Sequence, residues 1–161
     1  MIILLDFEHI IQVNDLSNKA IAVLTRSQLW QGLVLRARNP EKFNHGLQCT
    51  HEVLKENEFI RTIEAGGTSF CEKVILCPEQ KIHTRTVPDF DQIDAQSTTS
   101  IEEPQTGSLF VRFHYKRDLD VIDERIGVGG HLKEAYIQLD RDAISLIRML
   151  AESELFDRII N

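Results

Sequence analysis

The chain has 161 residues, of which 42% are hydrophobic, so it is about the size of one domain and can bury a core of its own. Eighteen Lys and Arg against twenty-five Asp and Glu leave a formal charge of −7, which disfavours a nucleic-acid partner held by phosphate neutralisation. No apolar run approaches the roughly 18 to 20 residues needed for a membrane span, so no membrane insertion is expected. Three cysteines without a close partner do not make a disulfide framework, and the opening MIILLDFEH carries neither a basic lead nor a small-residue cleavage site. These features predict a cytoplasmic protein with reduced thiols and one domain spanning residues 1–161.

The stretch from Leu4 to Val13 is rich in Ile, Leu, Val and Phe and short, which predicts a strand closed by Asn14-Asp15. Residues 14–24 read as an irregular connection. Thr25-Arg26-Ser27-Gln28 fits a capping box, so a helix begins there, with Leu29, Trp30, Leu33 and Ala37 on its buried stripe. Asn39-Pro40 reads as a fresh cap with Pro at the first position, starting a second short helix through Phe43.

From Leu47 the hydrophobic period changes to two, and turn residues recur about every ten positions, the pattern of an antiparallel meander. The candidate strands are 47–55, 58–65, 68–77, 81–87, 94–103 and 108–116, making seven with the first. Gly66-Gly67 is a two-residue hairpin turn; Pro78-Glu79-Gln80 and Pro104-Gln105-Thr106-Gly107 mark two more, and 88–93 is a loop. In the last third, Leu132, Tyr136, Leu139, Ala143, Ile147 and Leu150 step by three or four. Lys133, Glu134, Gln138, Asp140, Arg141, Asp142 and Arg148 lie between them, which predicts an amphipathic helix of about twenty residues. Gly127, Gly129 and Gly130 precede it, and Leu155, Phe156, Ile159 and Ile160 form an apolar tail.

One strand, two short helices, six strands and a long C-terminal helix define an α+β chain in which a curved antiparallel sheet grips a helix in its concave face. This order resembles the START-like, helix-grip superfamily (SRPBCC). Val13-Asn14 and the run Leu24-Thr25-Arg26-Ser27-Gln28-Leu29-Trp30-Gln31-Gly32-Leu33-Val34-Leu35-Arg36-Ala37-Arg38-Asn39-Pro40 resemble the AtaL-like family within it. That family has a namesake in a fungal secondary-metabolite cluster, and it supplies a fold more than a chemistry. The superfamily resemblance implies a cavity between sheet and long helix that holds an apolar small molecule.

Hairpin geometry gives the most specific expectation. With Gly66-Gly67 as the loop, Ala65 pairs with Thr68, Ile63 with Phe70, Arg61 with Glu72 and Phe59 with Val74. An Arg61–Glu72 pair then stands on an otherwise oily face. It either orients a carboxylate, phenolate or carbonyl of a ligand, with Glu72 steadying the guanidinium, or is a plain cross-strand ion pair. Parity carries outward to Ile82, Thr84 and Thr86, and to Ile101, Thr99 and Ser97 opposite Leu109, Val111 and Phe113, with Tyr115 continuing the row. Such a wall, apolar with scattered hydroxyls, suits a partly polar aromatic or polyketide-like ligand, although Thr is also a common strand residue for packing alone. In the hairpin at Glu56-Asn57 a two-residue loop turns Glu52 inward, whereas a three-residue loop turns Val53 and His51 inward.

On the long helix Tyr136, Leu139, Ala143 and Ile147 face the sheet, and the small Ala143 leaves room for a cavity unless Trp30, Phe113 and Phe110 fill the gap. The candidate ligand-binding residues are therefore Arg61, Glu72, Thr84, Thr99, Phe113, Tyr115, Tyr136, Leu139, Ala143 and Ile147. The six histidines show no metal-ligand spacing and read mostly as surface residues, so neither a metal nor a cofactor is expected. Cys71 and Cys77 share a strand face at roughly 20 Å, too far to bond. Gly127-Val128-Gly129-Gly130 lacks the phosphate-loop pattern, no GxSxG is present, and Glu102-Glu103 reads as a solvated pair at a turn.

The leading expectation is a non-enzymatic carrier or sensor of a hydrophobic small molecule. The alternatives are an aromatase/cyclase-type enzyme, with Glu72, Tyr115, Tyr136 and His51 as proton handlers, and an interaction module or homodimer using the C-terminal tail.

Overall fold

The computed structural model describes residues 2–88, 92–120 and 125–153. Seven strands, β1 (Ile2–Gln12), β2 (Leu47–Lys55), β3 (Glu58–Ala65), β4 (Thr68–Cys77), β5 (Lys81–Thr86), β6 (Ala95–Gln105) and β7 (Ser108–Asp120), form one antiparallel sheet in the order β1-β7-β6-β5-β4-β3-β2. Helix α1 (Arg26–Arg38), a single 3-10 turn (Pro40–Lys42) and the long helix α2 (Val128–Glu152) lie on its inner face. The order is the expected one. The second short helix is only that 3-10 turn, and α2 starts early enough to take Gly129 and Gly130 into its first turn, leaving Gly127 (φ 82°) to redirect the chain.

Local chemistry sets these boundaries. The Gln28 N–H donates to Thr25 Oγ1 at 3.0 Å and the Thr25 N–H to Gln28 Oε1 at 2.9 Å, the reciprocal capping box that opens α1 and is worth about 1 kcal/mol. Gly66 and Gly67 both have positive φ, which pins Ala65 opposite Thr68 and carries Arg61 opposite Glu72. At Glu56-Asn57 the loop has two residues, yet Leu54 is bulged out between the Val53–Phe59 and Lys55–Glu58 pairs. His51 and Val53 therefore fall on the Phe59 face.

One register expectation is corrected. Ile101, Thr99 and Ser97 pair with Val111, Phe113 and Tyr115, two residues further along β7 than parity about Pro104 suggested. Pro104 sits in a bulge between Glu102 and Gln105, where its missing N–H is tolerated, and the turn is shifted to Thr106-Gly107. Glu102 and Glu103 are ion-paired to Arg112 and Arg26, and Glu103 also accepts the Gly107 N–H at 2.7 Å. These contacts hold both carboxyls below the usual carboxylate range.

Buried Asn14 ties the irregular connection to the sheet. Its side chain exchanges hydrogen bonds with the Leu24 backbone at 2.8 and 2.9 Å and donates to the Gly107 carbonyl at 2.9 Å. Arg148 of α2 donates to the carbonyls of Val13 and Ala22, fastening the helix to the same segment. Part of the 88–93 loop and the apolar tail Leu155, Phe156, Ile159, Ile160 lie outside the described residues. None of the described helices is long and apolar enough to cross a membrane.

Candidate functional site

Helix α2 crosses the inner face of the sheet, and the space beneath it has two halves. In one, Leu29, Val74, Leu109, Val111, Phe113 and Ile147 are completely buried against each other. Gly32 of α1 is drawn so close to α2 that a β-carbon there would stand 2.4 Å from Ile147 Cγ2, so no space remains at this crossing. In the other half, toward the C-terminal end of α1, a hollow of about 340 Å³ persists. Leu33, Ala37, Pro40, Phe43, Leu47, Ile63 and Ile82 form its apolar wall, and Ser97, Thr84 and Thr99 line it from the sheet. Those three hydroxyl side chains make no hydrogen bond to any described residue, with Thr84 almost fully buried. Asn44 and Leu139 are exposed lining residues, the latter at 41%, and they mark the mouth between the 3-10 turn and α2.

Arg61 stands in this wall as hairpin parity predicts. Its Nε and Nη2 each lie 3.1 Å from Glu72 Oε1, and its Nη1 donates to the Ala37 carbonyl at 2.8 Å. The pair thus docks the C-terminal end of α1, where backbone carbonyls lack helical partners, onto β3 and β4. Guanidinium N–H groups beyond these three bonds remain to face the hollow.

The second polar cluster centres on Asp140, whose side chain is 0% exposed. Its Oδ1 accepts from Arg36 Nη1 at 2.8 Å, and its Oδ2 lies 2.6 Å from the Tyr115 hydroxyl and 2.7 Å from His9 Nε2. Four elements, β1, α1, β7 and α2, meet at this one carboxylate. An ionised carboxylate only accepts, so Tyr115 and His9 both donate, and a buried charge survives because it is paired and hydrogen-bonded. His9 is sandwiched between Phe7 and Phe113, with ring centroids 5.7 and 5.1 Å away, which fixes its plane. Burial first, and then the Asp140 charge, push the Tyr115 phenol far above its ordinary range, so it holds its proton. The Tyr136 ring stacks on Tyr115 at 3.9 Å and 5°, bringing α2 against β7 at the cavity edge.

Of the ten residues singled out from the sequence, Arg61, Thr84, Thr99, Tyr115, Tyr136 and Leu139 line the hollow, and Glu72 stands behind Arg61 as its partner. Phe113, Ala143 and Ile147 do not line it. All three belong to the close-packed half, because Gly32 lets α1 descend onto Ile147 and Phe113 fills the layer beneath. Trp30 packs at the margin of the core, and Phe110 lies on the outer face beside Ile10. His51 is exposed on edge strand β2, edge-on to Phe59 at 5.9 Å. Asp140, read from the helix pattern as a polar-face residue, is buried, and His9 is an interior side chain only 13% exposed. Arg36 and Asp140 are the functional candidates that spacing along the chain did not reveal. Among the described residues no group of three or more potential ligands could hold a metal.

A seven-stranded antiparallel sheet closed over a long C-terminal helix, with a hollow between them, is the helix-grip architecture. The chain belongs to the AtaL family, described as acetylaranotin biosynthesis cluster protein L, which it matches over residues 11–154. No curated protein matches the sequence. Among solved structures it is similar to the di-domain ARO/CYC StfQ of the steffimycin biosynthetic pathway, at a TM-score of 0.71 and 12% identity. That match covers 94% of this chain and 52% of StfQ, so the chain spans about half the length of that protein. It also resembles norcoclaurine synthase from Thalictrum flavum in complex with dopamine and hydroxybenzaldehyde, at 0.62 and 13%, over 94% of this chain and 88% of the synthase. The Zhui aromatase/cyclase from Streptomyces sp. R1128 matches at 0.59 and 11%, over 94% of both chains. At these identities the likeness is one of fold.

Proposed function

We propose that this protein binds a hydrophobic, partly polar small molecule in the hollow between the sheet and α2. The observation that carries this reading is the hollow itself: about 340 Å³, within the size range of ligand sites, apolar for most of its wall and carrying the hydroxyls of Thr84, Thr99 and Ser97, which bond no described residue. Affinity would come from removing apolar ligand surface from water at about 25 cal/mol per Å², and orientation from Arg61, Thr84, Thr99, Tyr115 and Tyr136. The description of the family as a biosynthesis-cluster protein is consistent with a small-molecule partner. Protein isolated under mild conditions and examined by native mass spectrometry is expected to carry a noncovalent adduct that denaturation releases. Adduct-free protein that also fails to bind aromatic probes saturably would refute the reading.

An aromatase/cyclase-type enzyme is a second reading, supported by the fold shared with proteins of that description and by ionisable groups at the wall. Geometry favours the carrier. Glu72 is bound to Arg61, the Tyr115 proton is committed to Asp140, and His51 sits outside the hollow. Released ligand returned to fresh protein should keep both its mass and its chromatographic retention if the carrier reading holds; under the enzymatic one it should lose water, or close a ring and change retention at constant mass. Glu72→Gln would then slow that conversion without unfolding the chain.

A further inference from the structure

The Asp140 cluster fixes the hydrogen-bonding polarity of two side chains in the cavity wall. Tyr115 donates its only proton to Asp140 Oδ2 at 2.6 Å, so what its oxygen can still offer is lone pairs. Arg36 gives one N–H to Asp140 Oδ1 at 2.8 Å, has no other partner among the described residues, and can only donate with what is left. Both residues line the hollow, and they grip the two oxygens of a single carboxylate, so a fixed acceptor and a fixed donor stand side by side. The Tyr136 ring stacked on Tyr115 and the two Phe rings flanking His9 keep the arrangement from rotating. Charge in the wall is balanced internally, Arg36 by Asp140 and Arg61 by Glu72.

From this arrangement we infer that the Tyr115–Arg36 edge reads a neutral ligand group presenting a donor beside an acceptor, such as a carboxamide or a hydroxy-carbonyl, and discriminates against a carboxylate. A carboxylate brings two acceptors. One would face the lone pairs of Tyr115 with no proton between them, and its charge would be desolvated beside buried Asp140 with no uncompensated cation among the described lining residues to receive it. A donor–acceptor group satisfies both wall residues. The inference rests on the ligand-binding reading of the hollow and adds the chemical class that the site selects.

Four probes built on one naphthalene ring system test it: 2-naphthamide, N,N-dimethyl-2-naphthamide, 2-naphthoate and naphthalene, titrated calorimetrically against the full chain and its Tyr115→Phe variant. The wild-type protein is expected to bind 2-naphthamide about five- to tenfold more tightly than the dimethyl amide or the carboxylate, the worth of one hydrogen bond. Tyr115→Phe, which keeps the ring stack and removes the acceptor, should abolish the preference for 2-naphthamide over the dimethyl amide. A carboxylate that binds the wild-type protein as tightly as the amide, or a preference over the dimethyl amide that survives Tyr115→Phe, overturns the inference and leaves the hollow a binding site. Absence of saturable binding for all four probes overturns the inference, and removes the binding-site reading as well where the isolated protein also carries no adduct. The ranking on the wild-type protein decides the matter even if the variant does not fold.

Discussion

The two halves of the space beneath α2 are built from the same sheet and the same helix, yet one is solid and the other open. In the solid half the facing residues are Phe113, Val111, Ala143 and Ile147, and Gly32 removes the last obstacle to contact between α1 and α2. In the open half, the last turn of α1 presents Arg36 and Ala37, the chain turns through Pro40, and the sheet presents Thr84, Thr99 and Ser97 where Leu or Phe would be needed to fill the volume. Close packing is therefore concentrated at one end and unfilled volume at the other, a division common where a rigid scaffold carries a site.

The largest expected contrast is between two deletions on α2. Ile147→Ala should lose about 2–5 kcal/mol in denaturant titration, because it opens a cavity in close-packed surroundings. Leu139→Ala, at an exposed position on the mouth, should lose less than about 1 kcal/mol. Equal losses would erase the distinction between the halves. Next in size, Gly32→Ala forces a methyl group into the two Cγ atoms of Ile147 and should cost about 1–3 kcal/mol; Ile147→Ala removes both of those atoms, so the double variant should lose less than the two single variants together.

The Asp140 cluster, at the boundary, has a pH signature. Burial first, and then the Asp140 charge, raise the Tyr115 phenol in the folded state above the unfolded value of about 10, so the native chain holds a proton that the unfolded chain releases. The stability this contributes is complete below about pH 10 and declines as pH rises beyond it. Tyrosinate absorbance from Tyr115 should accordingly appear only with unfolding, and Tyr115→Phe should remove that late phase. The smallest effect belongs to the open wall: Thr99→Val should change stability by no more than about 0.5 kcal/mol, since its hydroxyl bonds no described residue.

How far the sequence revealed these features depended on the range of the interactions. The capping box at Thr25 and the Gly66-Gly67 turn are local, and from that turn alone the Arg61–Glu72 pairing followed to the residue. The β6–β7 register was missed by two residues because a bulge at Pro104 is not implied by the presence of a proline near a turn. Asp140 was hidden for another reason. Its partners His9, Arg36 and Tyr115 lie 131, 104 and 25 residues away, and a charged residue next to Leu139 in an amphipathic pattern reads as solvent-facing until those partners are placed. Ala143 misled because a small side chain leaves room only if nothing descends into it, and what descends is the neighbouring helix, at Gly32.

Occupancy of the open half is tested most directly by native mass spectrometry of the wild-type protein beside Leu139→Trp, which places an indole across the mouth. The account predicts a releasable small-molecule adduct on the wild type and its loss on the folded variant. Identical spectra from the two proteins, either both loaded or both empty, would contradict it.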